Sequence, residues 1–317
     1  MKYKSYIFLV VFLLVMGYFL YPKKTFEGLL RNEIYLCPND KQILYVYEKE
    51  GSSYIYSFEI GDTVAKLLIK KEGYNLSEPD FSKDGSKIIY RAWKKNDPNI
   101  LVYIADSDGS NPVEVYRDKL LFNPKFSEYN SNQIFFVKAL EYSNHSPIVA
   151  KHPNGMDLYS YNMKTKAVKR HTGSNYYAID CYDFIGDNKF IINSDLTGIY
   201  KYTLGSFKKE EIVISDKIDS SYISQVYSSR ISYSIENKKY LLSTYFDVYL
   251  WNGQAPKLSK VYSSEPGNQI EYTSFFKFKK KILISTQNEI IVVIDYNGNI
   301  LNRFHIPYPQ LSEEFLN

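Results

Sequence analysis

The chain has 317 residues, with 39 basic and 35 acidic side chains and a formal net charge of +4. Residues 1–24 hold four lysines and no acid, so the remaining chain is neutral. A neutral body with interleaved charges lacks the basic stripe that nucleic-acid binding needs, and we expect no nucleic-acid partner.

The chain begins with an apolar segment, residues 6–21, that has two lysines on each side. As a helix it would span about 24 Å, slightly less than the ~30 Å hydrocarbon core of a membrane. Tyrosines and lysines at both ends can reach the headgroups. Val15-Met16-Gly17 is a poor signal-peptidase site. We therefore predict that residues 1–24 form an uncleaved signal-anchor, with a cleaved signal peptide and a secreted product as the alternative.

The body is predicted to lie outside the cytoplasm, in the periplasm or the extracellular space. Because the lysines are balanced two against two, charge does not set the orientation of the apolar segment. The prediction depends on the position of this segment at the extreme N-terminus, where export signals lie.

A short pattern recurs along the rest of the chain: a Lys or Gln followed by three apolar or aromatic residues. Its copies begin at Gln42, Lys87, Gln133, Lys189, Lys239 and Lys281. Their spacings are about 45, 46, 56, 50 and 42 residues, close to the length of one β-propeller blade.

A second apolar or aromatic run follows each copy, as in Leu101–Ile104 and Val248–Trp251. β-Branched and aromatic residues are typical of strands. Several of these runs end in a polar turn such as Asp106–Gly109, where glycine supplies the positive φ of a tight hairpin. Four short strands repeated six times predict an all-β fold, a six-bladed β-propeller of four-stranded antiparallel blades. We place the anchor in residues 1–24, a linker in 25–33, the propeller in 34–306 and a tail in 307–317.

The second unit carries a resemblance to a known family. Glu78-Pro79-Asp80-Phe81-Ser82-Lys83-Asp84-Gly85-Ser86-Lys87-Ile88 resembles the WD40-like repeat of TolB-type six-bladed propellers. Lys83 stands where that repeat usually has a second proline, and the third unit keeps only Asn123–Ser127 of the motif. The motif thus covers about two blades. The resemblance implies an exported or membrane-anchored propeller that binds proteins rather than turning over a substrate.

The two cysteines, Cys37 and Cys181, fall in the first and fourth units. Blades one and four face each other across a six-fold ring, whereas a disulfide needs Cα atoms within about 7 Å. We therefore expect both cysteines to be unpaired residues of the inner strands.

Candidate binding residues lie in the long connections between second and third strands, because function concentrates in loops on a rigid scaffold. Two neighbouring units have the most elaborate ones, 91–99 and 138–156. The candidates are Trp93, Lys94, Tyr142, His145 and His152. Trp93 either forms an exposed hot spot or folds back onto the sheet. The two histidines could ligate a metal together with Glu141 or Asp157, but their spacing is weak evidence, and no metal or cofactor is predicted.

No nucleophile elbow, Gly-rich phosphate loop or attached hydrolase domain occurs in the sequence, so no catalytic residue is predicted. We expect a non-catalytic, membrane-tethered scaffold or interaction module of the cell envelope whose partner is an envelope protein or glycan. The alternatives are a metal-assisted glycan lyase or hydrolase and a glycan-binding lectin.

Overall fold

The computed structural model describes residues 29–143, 151–186, 188–194, 198–212, 230–253 and 258–309. These residues form six four-stranded antiparallel sheets and one separate two-stranded hairpin, and they contain no helix. The six sheets are the blades of a propeller, so the predicted fold class is confirmed for the body of the chain. Residues 6–21 lie outside the described ranges, within which no helix is long and apolar enough to cross a membrane.

The strands of blades 1 to 3 are β1 (Leu29–Leu36), β2 (Gln42–Lys49), β3 (Ser52–Glu59), β4 (Lys66–Ile69), β5 (Asn75–Phe81), β6 (Lys87–Trp93), β7 (Asn99–Asp106), β8 (Val113–Lys119), β9 (Leu121–Phe126), β10 (Gln133–Lys138), β13 (Asp157–Asn162) and β14 (Val168–Arg170). Those of blades 4 to 6 are β15 (Cys181–Gly186), β16 (Lys189–Ser194), β17 (Gly198–Thr203), β18 (Lys209–Glu211), β19 (Ile231–Ser234), β20 (Lys239–Ser243), β21 (Asp247–Trp251), β22 (Ser259–Ser263), β23 (Ile270–Phe275), β24 (Lys281–Thr286), β25 (Ile290–Asp295) and β26 (Ile300–His305). The separate hairpin, β11 (Glu141–Ser143) and β12 (His152–Asn154), is inserted in blade 3 between its second and third strands.

Every copy of the sequence repeat marks the first residue of the second strand of a blade. In five of the six copies that residue is followed by three buried ones, and in blade 5 Tyr240 is half-buried instead. The second strand lies inside its sheet and is covered by neighbouring blades on both faces, which explains a continuous apolar run instead of alternation.

Aromatic side chains stack between the second and third strands of several blades, where they are cross-strand neighbours. Tyr45 stacks on Tyr56 with ring centroids 5.6 Å apart, and Tyr90 stacks on Tyr103 at 5.6 Å. Such pairs stabilise a sheet through side-chain contact. Most of these rings therefore serve the core.

The ring has two distinct faces. On the upper face the first strand of each blade begins and the second strand connects to the third, since the register pairs Leu29 with Glu48 and Asn75 with Trp93. On the lower face the first strand ends and turns into the second, as at Ser82, whose N–H bonds to the carbonyl of Lys87. The chain therefore enters the propeller on the upper face, at the innermost strand β1.

Blades 1 and 6 close the ring through side chains and the C-terminal segment, and their described sheets share no strand. The Asp40 carboxylate accepts the backbone N–H groups of Lys277 (2.6 Å) and Phe278 (2.8 Å). The Tyr45 hydroxyl donates to the carbonyl of Pro307 at 2.9 Å, and Pro309 bridges to Ala65. Strand β1 begins inside the stretch predicted as a linker, and the first residues of the predicted tail pack on blade 1.

Candidate functional site

One residue of each first strand lies opposite the third residue of the sequence repeat, so these six positions occupy the same level of the ring. They are Tyr35, Asp80, Lys125, Asp183, Ser232 and Ser274. All except Tyr35 line a cavity of about 240 Å³ in the central channel, which extends to the turns of the lower face. The channel therefore has an acid–base–acid sequence on three neighbouring blades.

Bulges in β5 and β9 aim the first two of these charged side chains. The register of β5 shifts between Ser77 and Asp80, and that of β9 skips Asn123 and Pro124. The bulged residues Glu78 and Asn123 have φ of 51° and 49°. Each precedes a proline, which lacks the N–H of a regular ladder and is tolerated at bulges. Because a bulge turns the strand and re-aims the side chains that follow, Asp80 and Lys125 face the channel.

An ion pair fixes these two strands to each other. The Glu78 carboxylate lies 2.9 Å from Nε of Arg91 and also accepts the backbone N–H of Asn123. Arg91 donates in turn to the carbonyl of Leu121 at 2.5 Å. Both charged side chains are largely buried. Such a pair fixes the position of the two side chains, because separating them would leave a buried charge without a partner. Arg91, which the sequence placed in a connecting loop, belongs to β6 and supports the site.

The ammonium group of Lys125 is held by Tyr182. Nζ donates to the carbonyl of Tyr182 at 3.0 Å and lies 5.2 Å from the centre of that ring. Asp183 accepts the N–H groups of Phe184 (2.9 Å) and Tyr233 (2.8 Å), and Asp80 accepts that of Phe81 at 2.9 Å. The three charged groups are therefore fixed by backbone contacts rather than left to rotate.

The environment of the channel raises the pKa values of Asp80, Asp183 and Lys125. Burial raises the pKa of Asp80 to about 6, although Lys125 and the Phe81 N–H oppose the shift. Burial likewise raises the pKa of Asp183. Burial would lower the pKa of Lys125, but the carboxylates of Asp183 and Asp80 outweigh it and raise that pKa. The cavity thus holds a permanent cation between two carboxyl groups, one of which can exchange protons near neutral pH.

The lower mouth of the channel is rimmed by exposed apolar side chains. Phe278 is 72% exposed, Tyr129 39% and Ile235 37%, and each lies in the turn between the first and second strands of its blade. Lys83 and Lys277 lie between them, and Nζ of Lys277 donates to the carbonyl of Lys83 at 2.8 Å. Apolar side chains around a charged cavity are a typical composition for a binding surface.

The candidates predicted from the sequence lie on the opposite, upper face. Trp93 is the last residue of β6, where it is half-buried, so it folds onto the sheet rather than extending from a loop. Lys94 is exposed, with Nζ 4.4 Å from the ring centre of Tyr74. Tyr142 is 57% exposed in β11. His145 lies outside the described residues.

The structure brings Tyr142 and His152 together in the β11–β12 hairpin, whereas Trp93 and Lys94 lie on blade 2. The His152 ring packs edge-on against Tyr177 with centroids 4.5 Å apart. Within the described ranges, no three His, Cys, Asp or Glu side chains are placed to hold a metal ion. Within the described residues, neither Cys37 nor Cys181 forms a disulfide. Cys37 is buried just after β1, Cys181 is half-buried at the start of β15, and both line the channel cavity.

Sequence reasoning did not find the channel residues, although the signal was present. Asp80 and Lys125 occupy the variable position between proline and phenylalanine in the motif shared by the second and third units. A charged residue at that position, inside an otherwise apolar strand, indicates a side chain that faces a polar channel.

No protein-family model matches the sequence, and no curated protein matches it. Solved structures do match the fold. TolB from Acinetobacter baumannii superposes with a TM-score of 0.61 at 16% identity over 83% of this chain. An acylaminoacyl peptidase gives 0.55 at 13% identity over 90%, and a prolyl endopeptidase 0.53 at 10% over 89%.

These likenesses show the fold: the chain is a TolB-like six-bladed propeller. It spans 63% of the length of the TolB structure, 47% of the acylaminoacyl peptidase and 43% of the prolyl endopeptidase.

Proposed function

We propose that this protein is a non-catalytic, membrane-tethered propeller of the cell envelope that binds a protein partner at the lower mouth of its channel. The observation that carries the proposal is the rigid cavity of Asp80, Lys125 and Asp183, surrounded by the exposed side chains of Phe278, Tyr129 and Ile235. The apolar segment at residues 6–21 supports the tether.

The composition of this mouth favours a protein segment over other partners. Interface hot spots are desolvated anchors surrounded by a polar rim, and aromatic residues dominate them. The exposed Phe278 and Tyr129 can supply such anchors, while the buried charges give orientation and specificity. The rim side chains also lie on short turns held by hydrogen bonds, so little conformational entropy is lost on binding.

A photo-crosslinking amino acid at Tyr129, introduced in the native envelope, tests the proposal. We expect a discrete protein adduct, and we expect Phe278→Ser in the same chain to reduce its yield because an apolar anchor is lost. The control carries the crosslinker at Val113, which is 59% exposed but starts the outermost strand of blade 2, far from the channel. Equal adducts at both positions would count against a site at the mouth.

The pKa of Asp80 favours a second candidate, an enzyme acting on an envelope glycan. A carboxyl group with a pKa of about 6 beside a lysine can transfer protons near neutral pH. If the protein has this activity, the full-length wild-type protein will produce new reducing ends in purified envelope glycan. The Asp80→Asn variant will not produce them. Glycan left intact by the wild-type protein would rule it out for that substrate.

A further inference from the structure

We propose that the upper face of the propeller lies against the membrane that holds residues 6–21 and contacts its anionic headgroups through Lys94, Lys95 and Tyr142. The inference rests on the membrane tether of the proposed function and adds an orientation and a lipid contact surface to it.

The chain between the apolar segment and the propeller is short. Only residues 22–28 separate residue 21 from the start of β1. Seven residues reach at most about 25 Å when fully extended. β1 is the innermost strand and begins on the upper face, so the chain has to arrive near the ring axis on that side.

The opposite orientation requires a longer connection. A blade of eight-residue strands is about 26 Å thick, and four strands span about 15 Å from the channel outward. With the lower face on the membrane, residues 22–28 would have to pass up the outside of a blade and return to the centre of the upper face, a path of about 40 Å. A path through the channel, from the lower face to the start of β1, is about 26 Å long and would take up the full reach of the seven residues. It would also pass the charged side chains of the cavity. The upper face is therefore the one that the linker allows to meet the bilayer.

The side chains exposed on the upper face also suit a membrane surface. Tyrosine and tryptophan are enriched at the membrane–water interface. Tyr142 and Leu140 are each 57% exposed, Tyr308 51% and Tyr245 41%, and all four lie in upper-face connections. The half-buried Trp93 lies beside them at the end of β6.

Charge supports the same surface. In the sector formed by blades 1 and 2, the upper face has one lysine more than it has carboxylates: Lys49, Lys70, Lys71, Lys94, Lys95 and Lys119 against Glu48, Glu50, Glu72, Asp97 and Asp118. Lysines close to an anionic leaflet are attracted to its negative surface potential. Lys94 and Lys95 are both exposed, in the five-residue connection between β6 and β7.

The two tryptophans of the chain provide a direct test, because they lie on opposite faces. Trp93 ends a second strand on the upper face, and Trp251 ends a third strand on the lower face. Full-length single-tryptophan variants, Trp251→Phe and Trp93→Phe, are reconstituted into vesicles of phosphatidylglycerol and phosphatidylcholine that carry a nitroxide on the headgroup. We expect a loss of Trp93 fluorescence relative to unlabelled vesicles, with Trp251 fluorescence unchanged.

A second pair of reporters guards against a variant that fails to fold. Tyr142→Trp and Phe278→Trp, each in the chain lacking both native tryptophans, place exposed indoles on the upper and lower faces. We expect quenching only at position 142. The charge reversal Lys94→Glu with Lys95→Glu should weaken the quenching of Trp93 in phosphatidylglycerol vesicles and leave it unchanged in pure phosphatidylcholine.

The outcomes separate this inference from the tether. Protein that fails to float with the vesicles contradicts the tether, and this inference with it. Floated protein in which both faces are quenched equally, or the lower face more strongly, overturns the orientation while the tether stands. If Trp93 is quenched equally in the wild-type protein and in the Lys94→Glu, Lys95→Glu variant in anionic vesicles, the two lysines do not contribute to headgroup binding.

Discussion

Two aspartates of one motif illustrate how strongly the channel acts on single residues. Asp80 faces the cavity, and burial raises its pKa to about 6. Asp84 lies four residues later on an exposed turn, where hydrogen bonds from the hydroxyl of Ser82 and from Ser86 lower its pKa to about 2. The same side chain is therefore destabilised in its charged form at one position and stabilised in it at the other.

This contrast predicts a pH dependence of stability. A carboxyl group whose pKa is raised on folding favours the folded state when protonated, so the contribution of Asp80 is present below about pH 4 and is lost as pH rises through about 6. In thermal melts, Asp80→Asn should therefore raise the melting temperature more at pH 7.5 than at pH 5.

Asp84→Asn is the control for this experiment. A group with a lowered pKa loses its contribution only as pH falls through that value, here about 2. Its effect on the melting temperature should be the same at pH 5 and pH 7.5. A pH-independent effect of Asp80→Asn would show that the channel does not perturb this carboxyl group.

At the scale of strands, the second strands could be predicted from the sequence because their environment is uniform. Each begins with an exposed or half-buried Lys or Gln and continues into a core that both neighbouring blades cover. The first strands could not be found in the same way. They line a polar channel, so residues such as Asp80, Lys125 and Ser274 replace the apolar side chains that identify strands. The β11–β12 hairpin was expected as a loop, since three-residue strands carry too little periodicity to detect.

The turn between β7 and β8 of blade 2, which packs against blade 1, gives the prediction at this scale. Gly109 has φ of +83°, and a Cβ there would overlap the carbonyl oxygen of Leu68 on the outer region of blade 1. Gly109→Ala should lower the free energy of unfolding by about 3 kcal/mol, since it combines left-handed strain with overpacking against backbone. Chemical denaturation measures the loss.

Gly51→Ala is the matched control, because Gly51 has a similar φ of +76° and open space around the position of a Cβ. It should cost only about 1 kcal/mol, the strain of the backbone conformation. Equal losses in the two variants would mean that the turn of blade 2 does not depend on close packing against blade 1.

At the scale of the whole molecule, the ring depends on a few C-terminal residues. Ile306 is 3% exposed in the cluster between blades 1 and 6, and the buried Tyr45 hydroxyl needs the carbonyl of Pro307. Truncation after His305 should therefore destabilise the protein by about 3 kcal/mol, through a vacated core position and an unpaired hydroxyl. Truncation after Pro309 keeps both contacts and should melt like the full chain. Identical melts for the two truncations would contradict this closure.

The start of the propeller at its innermost strand also has a mechanical consequence. Tension applied to the chain at residue 28 acts along β1 and nearly parallel to the axis of the ring. The hydrogen bonds between β1 and β2 run perpendicular to the strands, so such a load shears the ladder as a whole instead of opening it one bond at a time. An outermost strand pulled from the rim would instead peel away bond by bond. A pull on the N-terminal end of β1 therefore meets more resistance than the same pull on an outermost strand.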